Sequence, residues 1–228
     1  MTSITMLPDV RERLDREGYC LIYEVDAKDL LIFARGLGRP QHDPRDRLLV
    51  KDIRPQPENV ANANTLSSRY GMGAFPFHTE AAYLPRPPMF LLLYCVNPGS
   101  GGRTTVLLDS VDLFSRMSKP RRPGTWVVKA GRRPFLCDAL WGSPPTDFGI
   151  RYDRECLFPR GRAARSEEQA IREFVSESTP TTIPWTTRQL LIVSNHRMLH
   201  GRGDSNTNDH DRWLKRVLVA EGANGLGQ

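Results

Sequence analysis

Of the chain's 228 residues only five are lysine, against 27 arginines, and only four are cysteine. The cysteines, Cys20, Cys95, Cys137 and Cys156, stand far apart and form no C-x-x-C pair. That spacing supports neither a disulfide scaffold nor a cysteine zinc site, and reads as buried, reduced thiols in a cytoplasmic protein. Long apolar runs are missing too. The longest, residues 89–96, is eight residues, where a spanning helix needs about twenty, so no membrane span is expected. The first eight residues carry neither a basic stretch nor a long apolar one, and no secretion signal is expected. Internal repeats and low-complexity segments are absent.

What is present suffices for a core: 39% of residues are hydrophobic and 25% charged, outside the range of disordered chains. The length suits one domain, expected over residues 1–220, with residues 221–228 a fraying tail. A net charge of +6 and arginine-rich clusters at 119–122, 129–133 and 160–165 permit a polyanionic partner. The clusters lack interleaved aromatic residues, however, and 26 acids are spread through the chain. Solvated faces are the better reading, so a small molecule rather than nucleic acid is the expected partner. Nothing in the pattern bears on oligomeric state.

Hydrophobic spacing predicts an amphipathic helix over residues 9–17 with Val10 and Leu14 inward, then a strand over 19–25. A second helix is expected over 28–34, capped by Asp26 and stopped at Gly36 and Gly38, before a strand over 48–53. Residues 54–77 read as loop, long enough to be functional. Short strands follow at 89–96, 103–108, 126–129, 134–138, 149–152, 189–194 and 213–220. A helix near 111–117 and another opened by a Ser166…Gln169 capping box interrupt them. This is a mainly β pattern with peripheral helices, as in a sandwich or jelly roll with a ligand site in its mouth.

The chemistry concentrates in few residues. His78-Thr79-Glu80 sets an imidazole and a carboxylate two apart, on one face if the segment is extended. Alone this pair is a weak signal. His200, in Asn195-His-Arg-Met-Leu-His-Gly-Arg202, follows a predicted apolar strand and supplies a second nitrogen. Two imidazoles and one carboxylate, with the remaining positions open, describe the facial triad of non-haem Fe(II) oxygenases. Arg212-Trp-Leu-Lys-Arg216 adds two guanidiniums four apart on a strand, each a planar fork suited to a carboxylate. Thr104, after Gly101-Gly102-Arg103, offers a hydroxyl to one of those grips. Arg216 reads almost equally well as one half of an ordinary ion pair, and Thr104 as a plain strand former. His42 and His210 read as solvated, and His196 as supporting rather than ligating. The Arg202-Gly-Asp204 tripeptide reads as coincidence.

In this order, H-T-E, P-G-S-G-G-R-T, N-H-R-M-L-H-G-R and R-W-L-K-R resemble the taurine-dioxygenase-like family of Fe(II)/2-oxoglutarate-dependent oxygenases, from about residue 75 to residue 219. The resemblance implies a double-stranded β-helix, with His78, Glu80 and His200 as iron ligands. It implies Arg212 and Thr104 as the grip on the far carboxylate of 2-oxoglutarate, and Arg216 as a substrate contact. Glu80 stands where the common pattern has Asp, as in the branch containing clavaminate synthase and amino-acid β-hydroxylases, so an amino-acid-like or acidic substrate is implied. Its retention argues against halogenation. The expected reaction hydroxylates or desaturates an unactivated C–H bond with Fe(II), 2-oxoglutarate and O2, releasing succinate and CO2. Position alone nominates residues 62–70, with Ser67 and Arg69, as substrate-lining. Two other readings stay open: a jelly roll that binds a dicarboxylate without turnover, and a nucleic-acid demethylase using the same iron chemistry.

Overall fold

The apolar run becomes a strand, Phe90–Asn97, that is covered on both faces. Phe90, Leu92 and Tyr94 enter one hydrophobic cluster, while Leu91, Leu93 and Cys95 enter another. Alternation along the pleat is what allows one strand to serve two layers. The computed structural model describes residues 7–43, 46–63, 65–117, 123–130, 133–205 and 209–222. The expected tail, beyond residue 222, and the cluster at 119–122 lie outside the described residues.

Helix α1 (Leu7–Glu17) buries Val10 and Leu14 as expected and leads into β1 (Tyr19–Ile22). A 3-10 turn (Ala27–Asp29) precedes α2 (Leu30–Leu37), which passes through Gly36 and ends at Gly38. Asp26 makes no side-chain cap there, a departure from expectation. Strands β2 (Arg39–Gln41) and β3 (Lys51–Ile53) follow. The expected loop then holds a short helix, α3 (Ser67–Tyr70), and β4 (Phe75–His78). Next come β5 (Phe90–Asn97), β6 (Thr105–Asp109) and α4 (Val111–Arg116). Four short strands follow, β7 (Thr125–Val128), β8 (Phe135–Asp138), β9 (Leu140–Ser143) and β10 (Thr146–Ile150). Strand β11 (Leu157–Arg160) runs into α5 (Gly161–Glu177). The chain closes with β12 (Thr181–Ile183), β13 (Leu190–Ser194), β14 (Met198–Arg202) and β15 (Trp213–Ala220).

Helix α5 starts well before the predicted capping box, so Ser166 is interior to it. Gly161, at φ 76°, makes the turn out of β11, and Ala163 and Ala164 are strong helix formers. Glu167 is drawn inward instead, accepting hydrogen bonds from the Trp126 indole at 2.8 Å and the Gly124 N–H at 3.0 Å.

Pairing is antiparallel throughout. One sheet runs β1-β13-β5-β15-β2, with β3 also on β15, and a second runs β12-β6-β14-β4. A three-stranded sheet, β11-β7-β8, and the β9–β10 hairpin complete the set. The first two sheets share one apolar layer, in which Leu91, Leu93, Leu191 and Leu214 meet Leu107, Ile183 and Met198. Each such buried side chain stabilises the fold by about 1.5–3 kcal/mol. Helices α1 and α2 cover the outer face of the six-stranded sheet. Helix α5 and the small sheets cover Leu108 and Leu199 on the outer face of the other. Two facing antiparallel sheets with helices outside are the expected jelly roll.

The alternation within β14 decides where the chemistry falls. Met198 belongs to the inner layer and Leu199 to the outer one, which turns His200 back toward the interior between the sheets. His200 is in register with Leu107 on β6 and with His78 on β4. Gly201 lets β4 come close: a Cβ there would sit 2.8 Å from the Phe75 carbonyl oxygen.

Candidate metal centre

His78 and His200 are cross-strand neighbours with ring centroids 4.2 Å apart and planes tilted by 46°. The His78 Nδ1 lies 2.9 Å from the Pro76 carbonyl oxygen. A carbonyl can only accept, so Nδ1 carries the proton and Nε2 keeps its lone pair for a metal. Glu80 does not share a strand face with His78, contrary to expectation, because β4 ends at His78 and Glu80 sits in the turn that follows. Asn195, fully buried, holds that turn: the Glu80 N–H donates to its Oδ1 at 2.8 Å, and its Nδ2 donates to the Glu80 carbonyl at 3.1 Å. A third bond, from the same Nδ2 to the Pro88 carbonyl at 2.8 Å, anchors the amide. The outcome is convergence. One ligand atom from each of His78, Glu80 and His200 lies within 4.8 Å of the others.

Burial pushes the His200 imidazole down to about 4, with the neighbouring His78 adding to the effect. Burial alone would raise the Glu80 carboxyl, but the charge of Arg216 and the hydrogen bond and charge of His200 hold it well below the usual carboxylate range. Neutral, lone-pair-bearing imidazole beside an ionised carboxylate is the protonation state that a divalent cation requires of such donors. The His200 Nδ1 is buried without a partner. These residues fit a ferrous ion: two buried imidazole nitrogens and one half-buried carboxylate oxygen, with no cysteine sulfur among them.

Arg212 and Arg216 serve different charge clusters. Arg212 immediately precedes β15 and Arg216 lies within it; the register shift beside Trp213 and Leu214 falls on the partner strand, where Val96 is left unpaired. Arg216 donates from Nη1 to Glu80 Oε1 at 2.6 Å and from Nη2 to the buried Asp43, which also pairs with Lys51 at 3.1 Å. Arg212 is buried, and burial followed by the nearby Arg103 pushes its guanidinium down to about 10. Asp209, fully buried, is a counter-charge that acts on it and accepts the Gly101 N–H at 3.0 Å. The glycines of the Pro98–Gly102 stretch make room for it, since a Cβ on Gly99 or Gly101 would collide with Asp209 or Ser205. Thr104 is half-buried beside Gly203, whose N–H donates to the Thr104 carbonyl at 3.0 Å.

The remaining nominated residues lie on α3. Ser67 is half-buried, while Arg69 is half-exposed and pairs with Glu155. The Tyr70 hydroxyl donates to Glu155 at 2.5 Å and accepts from Arg154 at 2.8 Å, so α3 is tied to the turn after β10. Asp153, on that turn, has its carboxyl pushed up by burial and feels the charges of His78, Glu80 and Arg69. His196 rests against Trp141 and the Pro87 carbonyl, away from the donor set, and His42 and His210 are exposed, as expected. Arg202 is buried although Asp204 is exposed, so the arginine of the Arg-Gly-Asp tripeptide is not presented at the surface. Asp43, Asn195 and Asp209 carry no distinguishing pattern in sequence. Their roles come from contacts with residues 108 to 173 positions away.

The family model described as "Taurine catabolism dioxygenase TauD, TfdA family" matches residues 3–135, more than half of the chain, and the chain belongs to that family. The match includes His78, Glu80 and Thr104 and stops short of His200 and Arg212. Clavaminate synthase 2 of Streptomyces clavuligerus is 26% identical over 207 residues, 83% of this chain and 62% of that protein. L-asparagine oxygenase of Streptomyces coelicolor is 25% identical over 240 residues, 93% of this chain and 65% of that protein. The chain thus spans less than two thirds of either relative. Among solved structures, asparagine oxygenase in complex with Fe(II), 2S,3S-3-hydroxyasparagine and succinate aligns with a TM-score of 0.75 at 20% identity, covering 96% of this chain and 80% of that one. The non-haem iron oxygenase OrfP with Fe, succinate and (3S)-hydroxy-L-Arg aligns with a TM-score of 0.72 at 20% identity, covering 97% and 82%. These neighbours share the double-stranded β-helix fold. No helix among the described residues is long and apolar enough to cross a membrane.

Proposed function

We propose that the protein is an Fe(II)/2-oxoglutarate-dependent oxygenase that hydroxylates, or desaturates, an unactivated C–H bond of a small amino-acid-like substrate. The observation that carries this reading is the convergence of the buried His78 and His200 with the half-buried Glu80. These three would hold the metal. With the ferrous ion bound, O2 would supply the oxidising power: one oxygen atom would enter succinate as 2-oxoglutarate loses CO2, and the other would enter the substrate as a hydroxyl or, in desaturation, leave as water with two substrate hydrogens. Arg212 would bind the far carboxylate of 2-oxoglutarate, with the Thr104 hydroxyl assisting. Its burial favours that role, because a guanidinium removed from water gains more from an incoming carboxylate than an exposed one.

The substrate reading rests on charge. Arg216, already turned toward Glu80, would receive a substrate carboxylate, and Asp153 would receive an ammonium group. Ser67 and Arg69 would line the same region from α3. A zwitterion offers both charges, in keeping with the amino-acid products bound in the two structural neighbours. The four free cysteines suit a cytoplasmic enzyme.

The test is succinate formation from 2-oxoglutarate under air with Fe(II) and a panel of amino acids. His78→Ala and His200→Ala should each abolish it while circular dichroism stays unchanged. Wild-type turnover in either variant would overturn the donor assignment.

A further inference from the structure

Two buried arginines belong neither to the donor set nor to the grip assigned to Arg212. Arg103 donates from Nη2 to the Met72 carbonyl at 2.6 Å and from Nη1 to the Gly203 carbonyl at 3.2 Å. Arg202 donates from Nε to the Gly73 carbonyl at 2.8 Å and from Nη2 to the Gly71 carbonyl at 2.5 Å, with its guanidinium 3.5 Å above the Phe75 ring. Three consecutive carbonyls, at residues 71–73, are therefore held by side-chain cations. This segment links α3 to β4, the strand that ends in His78.

The same two cations sit in the field of Arg212. Burial and mutual repulsion push Arg202 down to about 9, with Arg103 and Arg212 as the repelling neighbours. Among the described residues, three buried guanidiniums thus face two acids, the fully buried Asp209, 3.6 Å from the Arg103 Nε, and the exposed Asp204, which acts on Arg202. The cluster has a surplus of positive charge in a region of low polarity, and an anion entering it relieves repulsion among all three cations.

We propose that Arg103 and Arg202 are positioning residues that couple dicarboxylate binding at Arg212 to the ordering of residues 71–73, and through them to the approach of β4. The coupling rests on the reading of Arg212 as the carboxylate grip. A carboxylate seated there lets Arg103 and Arg202 bind the three carbonyls more tightly, and by linkage the ordered segment favours the bound dicarboxylate.

Amide hydrogen exchange on the full chain tests this, with Mn(II) present throughout and 2-oxoglutarate as the probe, binding being followed separately by calorimetry. In the wild type, saturating 2-oxoglutarate should slow exchange about tenfold over residues 70–74 as well as around Arg212. In Arg202→Lys, which keeps the charge and loses the planar fork, exchange over 70–74 should be about tenfold faster and insensitive to 2-oxoglutarate, while protection around Arg212 persists. Arg103→Lys should behave alike, and provides the same readout if the first variant fails to fold. Protection around Arg212 with none over 70–74 in the wild type overturns the coupling and leaves the grip standing. Absence of any calorimetric binding overturns the grip, and the coupling with it. A merely structural clamp would speed exchange in the variants without giving the wild type its ligand response.

Discussion

Asn195→Ala removes an amide that makes three hydrogen bonds, two to the Glu80 backbone and one to the Pro88 carbonyl. At about 1 kcal/mol net for each bond, the substitution should cost about 3 kcal/mol of folding stability. The side chain is fully buried, so water reaches the orphaned groups only if the turn opens. Opening the turn also frees Glu80, the one donor that no strand holds in place. Loss of a residue that orients a metal-binding group typically costs 10–100-fold in metal affinity. Urea unfolding of the metal-free protein reads the first effect, and Mn(II) titration of the folded variant followed by electron paramagnetic resonance reads the second. A variant within 0.5 kcal/mol of wild type, or one that loses stability yet binds Mn(II) unchanged, would refute the claim that this amide places the carboxylate.

Three further outcomes are expected. Gly201→Ala drives a methyl against the Phe75 carbonyl and should destabilise the fold by about 1–3 kcal/mol, read by urea unfolding, because β4 must move off β14. Asp43→Asn takes one of two carboxylate partners from the half-buried Arg216, Glu80 remaining, and should cost about 2 kcal/mol, whereas Lys51→Ala should cost under about 1 kcal/mol. Equal losses in the same unfolding assay would show that Arg216 does not depend on Asp43. Burial holds the His196 imidazole below its ordinary value, so the unfolded chain binds the extra proton first. Its contribution to stability is therefore complete above about pH 6.5 and falls as the pH drops below that value. The wild-type slope in that window should flatten in His196→Gln, as measured by urea midpoints at stepped pH.

How much was legible depended on whether a residue's role is local. The α1 stripe of Val10 and Leu14 and the strand at 213–220 follow from periodicity, and both formed as expected. His78, Glu80 and His200 could be paired from sequence because motif order implies convergence in a jelly roll. The reason offered for Glu80 was wrong, since a turn held by Asn195, not strand alternation, presents it. Arg212 and Arg216 end among different acids, Asp209 for one and Glu80 with Asp43 for the other, which their spacing alone does not reveal. The α5 start was missed because Ser166 and Gln169 mimic a cap while Gly161 makes the actual turn. Asp43, Arg103, Arg202 and Asp209 were silent for a different cause. A buried charge looks like a surface charge until its partners, scores of positions away, are known.

The division of labour among the donors sets which parts of the centre can evolve independently. Both imidazoles are rungs of one ladder, tied to the sheet's own register, and replacing either leaves a gap in the barrel wall. The carboxylate arrives on a turn beyond the end of the strand, pinned by the Asn195 amide and by the buried Thr79, and can be exchanged without re-registering any strand. A scaffold arranged in this way keeps two coordination positions constant and leaves the third open to variation, so that new chemistry can be tried at the cost of a turn rather than of the fold.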